Sequence, residues 1–327
     1  MRRFRHALED GEMAGVEFGD PVQPFGAIWL HATGFNAMTY QSILAPLGFR
    51  ARVAALDMRG HGRTTLAADP RKLRSWRRYR DDVIAWMDQH APGGAVLGGH
   101  SMGGCVALMV AGKRPDLVKG LVLIDPVVLN PRFYFWSHVF PPVNMLMRGG
   151  SHMARQARRR RKQFESPAAA RKNYHGRGAF RSWREPFLDD YLLDGLERVD
   201  DNPPDSETQT WELLCDPKWE AATFAAQRNT PWSALGKVRK KKIPITVIRA
   251  EHGSVMSDLV AQKMQRKVPA MVLNLKRGSS HFLPMEAPYE VRDLLSSYIS
   301  RLVEGFSAAE EGPVQRTLVS GERWTGS

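Results

Sequence analysis

Four short, unbroken apolar runs constrain this chain most: Ala27 to Leu30, Val53 to Leu56, Ala95 to Leu97 and Leu121 to Ile124. None alternates cleanly with polar residues. A strand with one wet face shows that alternation, so unbroken runs between turn signals predict strands covered on both faces, as in a parallel sheet. Helical patterns lie between them. Residues 70 to 90 open with Pro70 and carry Leu73, Trp76, Val83, Ile84 and Trp86, while residues 102 to 113 are rich in small and apolar side chains. Strand, helix, strand, helix predicts a mostly parallel, doubly wound α/β sheet.

The rhythm breaks after Asp125-Pro126. Residues 130 to 235 hold helical stretches, aromatics and Pro141-Pro142, with no convincing strand. Strand-like runs return at Ile245 to Ile248 and Met271 to Leu275, and an amphipathic helix is expected over 286 to 304, beginning near Pro288. Residues from 307 carry Gly, Ser, Thr and charge without periodicity. The expected organisation is one α/β core (1–129 and 236–306), a helical insertion (130–235) and a flexible tail (307–327).

With 327 residues, 43% hydrophobic and 25% charged, the chain is long enough for one large core and reads as globular. No apolar stretch approaches the roughly 18 residues of a membrane span. The basic start, Met1 to His6, is followed by no apolar run, so no secretory signal is expected. Two cysteines, Cys105 and Cys215, build no disulfide framework and suggest a reducing, cytoplasmic setting. The net charge of +13 gathers in three runs, at 71–80, 155–162 and 237–242. Such runs attract anionic partners or simply face solvent. The run Arg155 to Lys162 contains no aromatic, so weak contact with an anionic membrane surface is conceivable and specific nucleic-acid recognition is not expected.

The sharpest local feature is Gly99-His100-Ser101-Met102-Gly103, followed by Gly104. It follows an apolar run and opens a helical pattern. Glycines there remove Cβ atoms that would clash, and a serine on such a strand-to-helix elbow presents its hydroxyl. Three further segments follow strand-like runs: Leu30-His31-Ala32-Thr33-Gly34-Phe35-Asn36, Asp57-Met58-Arg59-Gly60-His61-Gly62-Arg63 and Gly278-Ser279-Ser280-His281-Phe282-Leu283-Pro284. In this order the four segments resemble the α/β-hydrolase family, over about residues 13 to 129 and 236 to 304. The insertion sits where that family carries its cap.

The resemblance implies a nucleophile at Ser101 and a base at His281. It implies oxyanion donors from Met102 and Thr33, with Gly34 or Phe35 as alternatives, because Ala32 stands where the family usually has glycine. The triad acid departs from the commonest pattern, since Gly253 occupies its usual slot. Asp125 after the preceding strand is favoured, with Glu251 as the alternative and Asp258 behind it. His31, His61 and His100 are assigned structural or lining roles. Phe35, Phe133, Phe135 and Trp136 are candidate substrate-binding residues, although those from 133 onward equally suit the cap's own core. A serine at the elbow implies an acyl-enzyme and argues against the dehalogenases and epoxide hydrolases that carry Asp there. Carboxylic esters with an apolar acyl group are the expected small-molecule substrates; thioesters, lactones, C–C bonds or a non-catalytic binding role remain open, as does the oligomeric state. No cofactor is implied, and no histidine or cysteine spacing suggests a metal.

Overall fold

The computed structural model describes residues 1–139, 152–200 and 209–304. The first half of the core runs β1 (Arg2–Leu8), β2 (Gly11–Phe18), β3 (Phe25–Leu30), β4 (Arg52–Leu56), α1 (Arg77–His90), β5 (Ala95–His100), α2 (Met102–Lys113) and β6 (Val118–Ile124). The insertion then gives α3 (Pro131–Val139), α4 (His152–Arg158), β7 (Gln163–Phe164), α5 (Pro167–Tyr174), α6 (Phe187–Leu193), β8 (Leu196–Arg198), β9 (Trp211–Leu213), α7 (Pro217–Ala225) and α8 (Pro231–Lys240). The chain returns with β10 (Ile245–His252), α9 (Asp258–Lys267), β11 (Val272–Ser280) and α10 (Pro288–Val303).

Eight strands form one sheet in the order β1-β2-β4-β3-β5-β6-β10-β11. The pairs β1/β2 and β2/β4 are antiparallel and the rest parallel. All six apolar runs named above are strands of it. Both faces are covered, which explains the missing polar alternation. In β6, Leu121 and Leu123 join the cluster containing α1 and α2, while Val122 and Ile124 join the one containing α10.

Three expectations need correction. The helix expected from Pro70 starts at Arg77, because Asn229 Oδ1 takes the Trp76 N–H (2.8 Å) and Ser75 bridges Gln227. The insertion is not free of strands: β7, β9 and β8 form a small antiparallel sheet whose two- and three-residue strands are too short to show periodicity. The N-terminal hairpin, β1 and β2, extends the sheet ahead of the first expected strand. The expected boundary at 235/236 falls inside α8, which lies so close to α2 that a Cβ on Gly112 would meet Ala234 Cβ at 2.6 Å. The expected tail, 307–327, lies outside the described residues.

From β3 the chain crosses to β4 on one side and then to β5 on the other. A crevice forms at the carboxyl ends of strands around such a reversal. Register pairs Leu30 with Gly99, His100 with Ile124, and Ile124 with Ile248. The segments after β3, β5, β6 and β10 therefore emerge along one edge.

Candidate active site

Ser101 lies between β5 and α2 with φ 56° and ψ −116°, a left-handed backbone strained for any residue but glycine. The neighbouring glycines make this turn possible. A Cβ on Gly99 would stand 2.5 Å from the Gly103 carbonyl carbon, and one on Gly103 would stand 2.1 Å from the Leu30 carbonyl oxygen. The Ser101 N–H donates to the Ile124 carbonyl (2.9 Å), fixing the elbow against the end of β6. Ser101 is only 6% exposed.

His281, just beyond β11, places Nε2 2.9 Å from Ser101 Oγ and Nδ1 2.6 Å from Asp125 Oδ2. Asp125 caps β6 with φ 38° and is fully buried. Its Oδ1 accepts the Ser254 hydroxyl (2.6 Å) and the Ala250 N–H (3.2 Å), and its Oδ2 also accepts the Val255 N–H (3.2 Å). Burial alone would raise this carboxyl. The hydrogen bond and charge of His281, with Ser254 and the Ala250 N–H, outweigh burial and hold it below the ordinary carboxylate range. The loop after β10, which offers no carboxylate to His281, supplies donors to the acid on β6 instead. Ser254 was missed in the sequence; its position beside Gly253 was the available signal.

The alternative acids lie elsewhere. Glu251 accepts the Gly278 N–H (2.8 Å) and stands 3.3 Å from His252, and Asp258 pairs with Arg249.

Thr33 Oγ1 contacts Met102 Sδ at 3.4 Å, so the side chains of the two expected oxyanion residues touch. Met102 opens α2, where the first N–H groups lack intrahelical acceptors. The Phe35 N–H donates to the Ala32 carbonyl (3.2 Å). The Phe35 ring is buried. It meets Trp183 edge-on at 5.0 Å, Tyr191 at 5.9 Å, Phe282 at 6.3 Å and Phe180 at 6.4 Å. Three of these rings come from the insertion and were not singled out in the sequence. Phe133, Phe135 and Trp136 take a different place. They lie on α3, where Phe135 and Trp136 are 60% and 52% exposed and meet edge-on, and Phe133 packs on Tyr134, the buried aromatic of that helix.

The Arg155–Lys162 run is partly neutralised within the insertion. Arg160 pairs with Glu220 (2.6 Å) and donates to Tyr191 (2.8 Å); Arg161 pairs with Glu165 (3.4 Å) and Lys162 with Glu212 (2.8 Å). Glu220 in turn packs on Gly34, whose added Cβ would lie 2.5 Å from Oε1. No helix among the described residues is long and apolar enough to cross a membrane.

Known proteins agree with this architecture. The chain is 33% identical over 272 residues to 2-(acetamidomethylene)succinate hydrolase of Mesorhizobium japonicum, covering 83% of this chain and 87% of that protein. It is 35% identical over 118 residues to Esterase Rv0045c of Mycobacterium tuberculosis, covering 36% and 38% of the two. Among solved structures, E-2-(acetamidomethylene)succinate hydrolase superposes with a TM-score of 0.70 at 21% identity, covering 91% of this chain and 99% of that one. The thioesterase domain from the curacin biosynthetic pathway gives 0.71 at 18% identity, covering 90% and 99%. The family model described as "Alpha/beta hydrolase family" matches residues 27–294. The chain belongs to the alpha/beta hydrolase family and is related to hydrolases throughout its core.

Proposed function

We propose that the protein is a serine hydrolase that cleaves carboxylic ester-type bonds through an acyl-enzyme on Ser101. One observation carries this reading: Ser101 Oγ, His281 and Asp125 form a single hydrogen-bonded line at 2.9 and 2.6 Å, across 180 and 156 positions of chain. An alcohol is a weak nucleophile near neutral pH and needs such a base. His281 Nε2 takes the Ser101 proton as Oγ attacks the ester carbonyl, and the carbonyl oxygen becomes an oxyanion between the Met102 and Thr33 N–H groups. Collapse breaks the bond to the alcohol, which leaves with the proton from His281. Water, deprotonated by His281, then attacks the acyl group; the acid departs and Ser101 regains its proton. Asp125 keeps Nδ1 protonated throughout, so Nε2 faces Ser101 as an acceptor.

The insertion acts as a cap. Phe180, Trp183 and Tyr191, with Phe35 and Phe282, give an apolar wall that suits an apolar acyl group. The buried, free thiols of Cys105 and Cys215 support a cytoplasmic setting. A second reading, hydrolysis of a substituted succinate, is favoured by the extent of the match to the Mesorhizobium relative. A panel of p-nitrophenyl esters, thioesters, lactones and 2-(acetamidomethylene)succinate, run on wild type and Ser101→Ala, tests the proposal. Turnover lost in the variant and covalent fluorophosphonate labelling confined to Ser101 are expected. A folded wild type that takes no label rejects the mechanism.

A further inference from the structure

The residue before the nucleophile makes two hydrogen bonds that the mechanism above does not use. His100 is fully buried. Its Nε2 lies 2.7 Å from the His281 carbonyl oxygen and its Nδ1 lies 2.8 Å from the Tyr40 hydroxyl. That hydroxyl also accepts the Ala32 N–H at 3.1 Å.

The donors can be assigned without ambiguity. A carbonyl only accepts, so Nε2 carries the proton. In the neutral ring Nδ1 is then an acceptor and takes the Tyr40 proton, leaving a Tyr40 lone pair for Ala32. Every polar atom of the line is satisfied. Burial, followed by the nearby His281, pulls the His100 pKa down to about 3, so the ring stays neutral wherever the protein works.

Three loops meet on this line. Ala32 directly precedes Thr33, His100 belongs to the elbow itself, and the bonded carbonyl is that of His281. We propose that His100, backed by Tyr40, is a positioning residue that fixes the base loop and the oxyanion loop relative to Ser101. The proposal rests on the hydrolase reading above. It needs no contact between His100 and substrate. Its effect runs through the His281 main chain, where a displacement near 1 Å can cost about 10²-fold in rate.

Three substitutions separate the links. His100→Gln can place an amide N–H where Nε2 stood and keep the His281 carbonyl bonded. His100→Asn reaches only toward Tyr40. His100→Phe fills the space and keeps neither bond. The expected kcat for a p-nitrophenyl ester falls about 10- to 100-fold in His100→Phe and His100→Asn with KM little changed, and recovers most of that loss in His100→Gln. The downfield NMR resonance of the His281 Nδ1 proton, held by Asp125, reads the ring's placement without substrate. It should persist in His100→Gln and shift or broaden in the other two, in proteins whose thermal unfolding confirms the fold. Equal kcat in all three variants, or an unmoved resonance in His100→Phe, overturns the proposal. A wild type with no turnover counts against the hydrolase reading alone, because the resonance still reports on His100.

Discussion

At the scale of single residues, the candidate acid decides most. Two of the three other donors around Asp125 favour one orientation of an amide in its place, against the single Val255 N–H at Oδ2. Ser254 O–H and Ala250 N–H both point at Oδ1, so Asp125→Asn would put its carbonyl oxygen there and its NH2 toward His281 Nδ1. His281 would then accept at Nδ1, carry its proton on Nε2 and be unable to deprotonate Ser101. A loss of about 10⁴-fold in kcat is expected, as for a triad locked in the wrong tautomer. Glu251→Gln should stay within a few-fold of wild type, because Glu251 serves Gly278 and His252. Steady-state ester kinetics on both variants check this, and reversed effects would move the acid to β10.

At the scale of elements, the closeness of α2 to β3 is a testable constraint. A Cβ on Gly103 would meet backbone, the Leu30 oxygen at 2.1 Å and the His31 oxygen at 2.7 Å, and neither can rotate away. Gly103→Ala should cost about 1–3 kcal/mol or more, because helix and strand must separate. Gly253→Ala faces only its φ of 60°, with open space around it, and should cost about 1–2 kcal/mol. Urea unfolding of the two variants tests the order, and a milder Gly103→Ala would contradict the packing. These elements were also the legible part of the sequence. Runs such as Leu121 to Ile124 declare strands because both faces are buried. β1 escaped notice because it is an edge strand, arginine-rich, with Phe4 as its one buried side chain. Trp76 belongs to a helical pattern by spacing, yet Asn229, over 150 positions away, takes its N–H, a partner no local pattern shows. In the site, Ser101 and His281 were readable from their flanking glycines and strand ends. Ser254 and the His100 line were not, because their partners (the Asp125 carboxylate for Ser254, the Tyr40 hydroxyl and the His281 carbonyl for His100) lie 60 to 181 positions away and meet them only in the fold.

For the whole molecule, the buried histidines set how stability follows pH. His31, His61 and His100 are fully buried. Burial pulls His61 down to about 4 and His100 to about 3, and it drives His31 well below its ordinary value, with His61 adding to the effect. Burial holds each of them neutral against the pull of a carbonyl acceptor: His31 donates to the Ala32 carbonyl (2.7 Å) while accepting the Met58 N–H (3.0 Å), and His61 Nδ1 lies 3.0 Å from the Arg59 carbonyl. In the unfolded chain all three bind protons below about pH 6.5. The fold refuses those protons, so stability falls as pH drops below that point. Asp57 acts in the opposite sense. Burial pushes it up to about 6 despite N–H bonds from Ala37 and Arg63, so between about pH 4 and 6 the fold holds a proton that the unfolded chain has released. Among these four groups, three histidines against one aspartate leave two net protons taken up on unfolding near pH 5. That corresponds to a slope of about 3 kcal/mol per pH unit at most. Urea titrations at steps from pH 7.5 to 4.5 should therefore show a nearly level unfolding free energy at the top of the range and a steep decline below pH 6. A level profile down to pH 4.5 would mean that these rings reach water in the folded protein and that the packing around the candidate site is looser than described.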